Sequence, residues 1–326
     1  MKRIFPIALA LAVTSACAQE AEEPAPASEE PLNLEQLLER FNWDLDAVEI
    51  TTEQVGERLY VLFGAGGNIA VSVGEQGVLV VDDMFPEVIP KVEAAIREIG
   101  GEGADGKIDF AINTHWHFDH AEGDLALGPG GTWIAAHANS AAMMAKENIL
   151  NMVITQYRQP PYPPAARPAI VYDDRMRFDF NGEEIDLVHA GPAHTAGDTA
   201  VIFKGHNAVH FGDVFNNTGY PFIDVDSGGG INGMIAFCQA ILDEIGPDAI
   251  VIPGHGPVTD SATLQAYIDM LTTVRDRVAA QMAEGKSLMA VVASNVTNDL
   301  EERYGPVTNS LGFVDRVYTS LQRDAE

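Results

Sequence analysis

The chain has 326 residues, 46% of them hydrophobic and 21% charged, enough to bury one large core or a core with a modest appendage. Its 48 acidic residues against 19 basic ones leave a formal net charge of -29. That charge repels a phosphate backbone and argues against a nucleic-acid partner, because such binding depends on Lys and Arg neutralising phosphates.

The first segment, residues 1–18, reads as a signal peptide. Lys2 and Arg3 form a positive start, Ile4 to Val13 an apolar run too short to span a bilayer, and Thr14 to Ala18 a stretch of small residues. Two processing routes fit: a cut after Ala18, or a lipoprotein-type cut before an acylated Cys17 that would tether the chain to a membrane. The expected location is the periplasm, free or anchored as a lipoprotein. Residues 19–44 are expected to form a flexible acidic linker, since Gln19 to Pro31 is rich in Ala, Pro, Ser and acidic residues and cannot bury apolar surface. No later stretch is long and apolar enough to cross a membrane. The only cysteine besides Cys17 is Cys238, in the apolar helical pattern Met234 to Leu242, so a core thiol and no structural disulfide are expected.

From about Leu45 short apolar runs alternate with turns and helical spacing, the pattern of an α/β protein. Strands are predicted at Arg58 to Phe63, Asn68 to Val73 and Val78 to Val81, the last two joined by the turn Gly74-Glu75-Gln76-Gly77. A helix follows at Pro90 to Ile99, then a strand at Ile108 to Ile112. Further strands are predicted near Thr132 to Ala136, Glu184 to Val188, Ala200 to Phe203, Ala208 to Phe211 and Ala249 to Ile252. Helices are predicted near Ser140 to Met152 and Gly233 to Ile245. Residues 261–326 read as a C-terminal helical extension, through Leu264 to Met282 and Asp315 to Leu321. The proline-rich stretch Asn151 to Pro168, with Tyr157, Arg158 and Tyr162, reads as an uninterrupted loop suited to a lid, a substrate wall or a plain surface crossing.

The chemistry begins where the strand at Ile112 ends, with His115-Trp116-His117-Phe118-Asp119-His120. Imidazole nitrogens and carboxylate oxygens suit zinc and its first-row neighbours. In an extended turn His115 and His117 converge on one metal, while Asp119 and His120 point to a second position. His194, within Gly191 to Asp198, would complete the first set; His255, in Pro253-Gly254-His255-Gly256, would complete the second; Asp213 would bridge both. Two ions about 3.5 to 4 Å apart lower the pKa of a shared water and clamp the oxygens of the attacked group. Trp116 and Phe118 are read as packing beneath the loop, and His137, His189, His206 and His210 as structural histidines, with His189 and His210 close enough to orient a ligand. Asp198 either bonds a ligand or orders its turn. Gly228 to Gly230 either aim free helix amides at the metals or cap a helix.

On these residues the chain resembles the metallo-beta-lactamase fold superfamily, over residues 45–260. The resemblance implies a four-layer αβ/βα sandwich of two mixed β-sheets flanked by helices, with the site at one edge. It also implies a zinc-dependent hydrolase acting through a hydroxide held between two Zn2+ ions, with Fe or Mn as substitutes. It makes Asp119 the catalytic residue as well as a ligand, and Asp82 or its neighbour Asp83 the aspartate that orients the site loops. The ligand set is most similar to that of glyoxalase II. The substrate is then a small molecule carrying an ester, amide, thioester or phosphoester bond. A beta-lactamase is the first alternative, weak because no Lys or Arg lies between Asp213 and Gly246 to hold a lactam carboxylate. A persulfide dioxygenase with one iron, which shares the early motif, is the second.

Overall fold

The computed structural model describes residues 30–101 and 105–326. The predicted signal peptide, with Cys17, and residues 19–29 of the predicted linker lie outside the described residues. The remainder of the predicted linker is ordered: Leu34–Phe41 forms helix α1, with Asn33 and Gln36 capping its first turn reciprocally and Leu37 buried. A linker reading based on composition fails here because α1 hides its apolar side against the domain, leaving Glu35 and Glu39 outward.

The first sheet contains β1 (Thr51–Gln54), β2 (Leu59–Phe63), β3 (Ile69–Gly74), β4 (Gly77–Val81), β5 (Phe110–Asn113) and β6 (Trp133–His137). After a separate hairpin, β7 (Asn148–Asn151) and β8 (Gln156–Gln159), the chain adds β9 (Ile170–Tyr172) beside β6. Pairing is antiparallel from β1 to β4 and parallel from β4 to β9. The second sheet runs β10 (Arg175–Phe180), β11 (Glu183–Val188), β12 (Ala200–Phe203), β13 (Ala208–His210), β14 (Ile250–Ile252) and β15 (Thr259–Asp260), antiparallel except for the parallel pair β13–β14. Both sheets are mixed, as the resemblance implies.

Alternation along the strands builds the layers, because successive side chains point to opposite faces. Leu59, Val61, Ala70, Leu79, Val81 and Ile112 meet Ile185, Leu187, Val201, Phe203 and Ile252 between the sheets. Their neighbours Leu62, Ile69, Val71, Val80 and Ala111 face outward into a second core with helix α2 (Ile89–Gly100) and the short helices α3 (Phe118–Ala121), α4 (Asp124–Gly130) and α5 (Ala138–Met144). On the far side Ala200, Ile202, Val209 and Val251 pack against α6 (Ile231–Ile245), α7 (Ser261–Ala283), α8 (Leu288–Val292) and α10 (Val307–Asp324), with the single turn α9 (Glu301–Tyr304) before α10. The C-terminal helices are therefore the fourth layer of the sandwich. Each buried aliphatic side chain contributes roughly 1.5–3 kcal/mol, so the inter-sheet layer holds the strand ends at fixed spacing.

Two predicted elements differ. The helix expected through Met152 stops at Met144, where the Asn148 amide donates to the Met143 and Lys146 carbonyls and turns the chain into β7. The expected loop Asn151 to Pro168 contains β8, which buries Tyr157 and Gln159. Its buried positions are Tyr157 and the polar Gln159, so no apolar alternation marks the strand in the sequence. No helix among the described residues is long and apolar enough to cross a membrane.

Candidate metal centre

Every candidate ligand lies in the turn or short helix beyond the C-terminal end of a strand. The parallel pairs β4–β5 and β13–β14 place those ends on one edge of the sandwich. β5 delivers His115 to His120, β11 leads to His194, β13 to Asp213 and β14 to His255. Glycines make room for the convergence. A Cβ on Gly67 would stand 2.2 Å from the His120 ring, and one on Gly254 would stand 2.1 Å from Asp213 Oδ1.

His115, His117 and His194 form a buried triad whose ligand nitrogens lie within 4.8 Å of one another. Each ring has one nitrogen committed elsewhere. His115 Nδ1 is 3.0 Å from Thr114 Oγ1, His117 Nε2 is 3.0 Å from Asp224 Oδ2, and His194 Nδ1 is 2.9 Å from the Phe222 carbonyl. That leaves His115 Nε2, His117 Nδ1 and His194 Nε2 facing one point; the last two are 2.9 Å apart, and His115 Nε2 is buried without a hydrogen-bond partner. Such an arrangement fits a metal ion, because an anchored second nitrogen is what fixes the tautomer and aim of a ligating imidazole.

Asp119, His120 and His255 form a second group of the same kind. His120 Nδ1 is held by Asp82 Oδ2 at 2.7 Å, and Asp82 also accepts from the Thr114 amide and hydroxyl. His120 Nε2 therefore faces His255 Nε2 at 3.2 Å, with Asp119 Oδ2 3.2 Å from His255 Nε2. Asp213 stands between the triads: its Oδ1 is 3.1 Å from His120 Nε2 and 3.4 Å from His255 Nε2, and its Oδ2 is 3.9 Å from His194 Nε2. One carboxylate thus offers an oxygen to each group.

The electrostatics divide the centre in two. Burial, reinforced by the His120, His117 and His194 rings, pushes His115 well below the usual imidazole range, and burial with His117 lowers His194 to about 4. Burial also disfavours charge on His120 and His255, but Asp213 and Asp119 outweigh it, raising His120 well above the usual range and His255 to about 10. Asp213 is held well below the usual carboxylate range; burial opposes ionisation there, and His255 and His120 overcome it. The centre therefore holds neutral His115 and His194 rings at one group, and ionised carboxylates beside raised His120 and His255 at the other.

Asp82, not Asp83, contacts a ligand. Its backbone takes a left-handed φ of 64°, which turns the carboxylate toward His120 and Thr114. Asp83 instead accepts from the Asn113 amide, beside Asp124. Trp116 and Phe118 are buried, Phe118 packing against Phe85 and Tyr157. Asp198 orders its own turn by accepting from Ala193 and Thr195. His210 bonds the Asn68 carbonyl, His137 stacks on His189 at 3.8 Å, and His206 pairs with Glu183. The amides of Gly229 and Gly230 are taken by the Asp224 and Ala193 carbonyls, so they cap rather than face the centre. Cys238 is buried, its thiol near the Val214 carbonyl. Sequence reasoning missed Asp224, Thr114 and the Phe222 carbonyl as anchors of the ligands. Asp224 carries a weak signal in hindsight, as an acidic residue in the apolar segment Pro221 to Val225.

A two-sheet sandwich with histidines and aspartates converging at its strand ends defines a metal-dependent hydrolase. The chain belongs to the metallo-beta-lactamase superfamily, whose family model matches residues 65–273. It is 26% identical over 204 residues to the hydroxyacylglutathione hydrolase of Acidiphilium cryptum (strain JF-5), covering 61% of this chain and 70% of that one. It is 23% identical over 184 residues to the 2,4-dinitroanisole O-demethylase subunit alpha of Nocardioides sp. (strain JS1661), covering 56% of this chain and 51% of that one, so the match spans about half of that relative. Among solved structures it superposes on the DIM-1 metallo-beta-lactamase with a TM-score of 0.54 and 17% identity, over 69% of this chain and 99% of that one. On the stereoselective inverting sec-alkylsulfatase Pisa1 from Pseudomonas sp. the TM-score is 0.61 with 16% identity, over 83% of this chain and 50% of that one. At these identities the structural likeness speaks for the fold alone.

Proposed function

We propose that this chain is an exported hydrolase that holds two divalent metal ions, preferably zinc, and cleaves a small-molecule ester, amide, thioester or phosphoester. The observation that carries the reading is Asp213, whose two oxygens face the two ligand groups separately. Bound there, the ions would lower the pKa of a water between them and offset negative charge developing on the attacked group. His115, His117 and His194 are the ligands assigned to one ion, Asp119, His120 and His255 to the other, and Asp213 to both.

The residues then divide the work. Asp119, whose Oδ2 stands 3.2 Å from His255 Nε2, would hold the second ion and position the attacking water. Asp82, Thr114, Asp224 and the Phe222 carbonyl keep the four anchored rings aimed inward. Phe222 also sets its ring 6.2 Å from that of His117 and 5.8 Å from that of His194, forming an apolar wall beside the first group. No Lys or Arg lies between Asp213 and Gly246, and Arg158 is exposed and paired with Glu147. An anionic group on the substrate would therefore be held by the metal ions and not by a basic side chain of this segment.

The test combines metal content per chain with turnover on ester, thioester, phosphoester and lactam substrates. Two ions per chain and turnover of at least one ester, thioester or phosphoester substrate are expected. One tightly bound iron with zinc excluded would defeat the proposal in favour of a mononuclear oxygenase.

A further inference from the structure

Two of the anchors of the three-histidine group, Asp224 and the Phe222 carbonyl, lie on segment 222–230 at the start of α6. On one side this segment is laced to the backbone of the His194 loop. Asp224 N donates to His194 O at 2.9 Å, Gly230 N to Ala193 O at 2.8 Å, and Ala196 N to Ser227 O at 3.0 Å. Gly229 comes so close that a Cβ would stand 2.1 Å from His194 O. On the other side the segment is held by α10, beyond the family-matched residues 65–273. Arg323 Nη1 donates to Val225 O at 3.2 Å and Gly229 O at 2.9 Å; Arg316 Nη1 lies 3.4 Å from Asp226 Oδ2; and Ser320 Oγ accepts from Ile231 N at 3.3 Å. Positions 316, 320 and 323 are spaced four and three apart, so they share one helix face.

We infer that Arg323 is a positioning residue for the three-histidine group. By gripping the carbonyls of Val225 and Gly229 it holds Asp224 against His117 Nε2 and the Phe222 carbonyl against His194 Nδ1. Those two bonds decide which nitrogens the rings present to a metal. The inference rests on the two-metal reading above. Its mechanical basis is that a guanidinium has several donors in a fixed plane and can satisfy two carbonyls at once. A lysine in its place offers a mobile ammonium that can reach either.

The experiment uses the full chain, as wild type, Arg323→Ala and Arg323→Lys, titrated with Co2+ and Zn2+ alone. Chelator competition gives the two affinities, and the Co2+ absorption spectrum, referenced to His117→Ala and His255→Ala, assigns each to its group. Loss of a residue that orients a ligand costs about 10- to 100-fold in metal affinity, and Arg323 acts one contact further out. Arg323→Ala is therefore expected to weaken the three-histidine group about tenfold. The Asp119–His120–His255 group and Tm should change little, and Arg323→Lys should recover only part of the loss. Unchanged affinities overturn the inference. So does an equal fall in both affinities together with Tm, which would make Arg323 a purely structural residue. A wild-type chain that holds fewer than two ions overturns the two-metal reading itself, and this inference with it.

Discussion

Metal uptake should be pH-dependent at one ligand group and nearly flat at the other. A metal takes only neutral imidazole, so a protonated ring must first release its proton. At about pH 7, an ion entering beside Asp119 and His120 must displace a proton from His255, whose pKa burial lowers but Asp213 and Asp119 raise to about 10. An ion entering beside His117 meets His194, held at about 4, and His115, held well below its usual range, both already neutral. Three pH units at 1.36 kcal/mol each make the displacement cost about 4 kcal/mol, or about a thousandfold in apparent affinity. The second group should therefore gain at least about tenfold in affinity per pH unit through neutrality, levelling off near pH 10. The sign for stability is the reverse. Because the folded pKa of His255 lies above its usual 6.5, the metal-free chain keeps that stabilisation below pH 6.5 and loses it as pH rises toward about 10. The assay is chelator competition from about pH 6 to about pH 9, with the chelator's own protonation subtracted and each group assigned by its Co2+ spectrum. Equal slopes at the two groups, or a steeper one at the three-histidine group, would refute the reasoning.

Three further outcomes are expected. Asp119→Ala should lower turnover by about 10²-fold or more while moving Tm little, since the residue positions the nucleophile and contributes a ligand; near-normal rates with intact metal content would show that the nucleophile is held elsewhere. Steady-state kinetics on a penicillin, a cephalosporin and a carbapenem should give weak turnover with a high KM, because the segment between Asp213 and Gly246 offers no Lys or Arg to hold the carboxylate. A kcat/KM of about 10⁴ M⁻¹s⁻¹ or above would overturn that expectation. Mass spectrometry of the native protein should find a mature chain starting at an acylated Cys17 or at Gln19, and an unprocessed chain beginning at Met1 would remove the case for export.

What the sequence determined was whatever is local. The run His115 to His120 is legible because its ligands sit within one turn, and the glycines beside His255 and Asp213 mark sharp bends after apolar strands. The α/β order is legible because the strand and helix periods differ. Local patterns mislead where contacts from far along the chain prevail. Helix α1 lies in residues read as linker because its stability comes from burying Leu37. The segment at Asn148 becomes a strand because β8 pairs with it and the Asn148 side chain ends α5. Only the tertiary structure decided that the C-terminal helices form the outer layer of the second sheet, and that α10 braces a metal-facing loop. The same holds for the anchors of the ligands. Asp224 reaches His117 across 107 residues and Asp82 reaches His120 across 38. A sequence shows which residues can bind a metal, but which nitrogen each ring presents depends on what holds the other one; Asp82 meets His120 beyond the parallel pair β4–β5, and Asp224 meets His117 from the other sheet's side of the site.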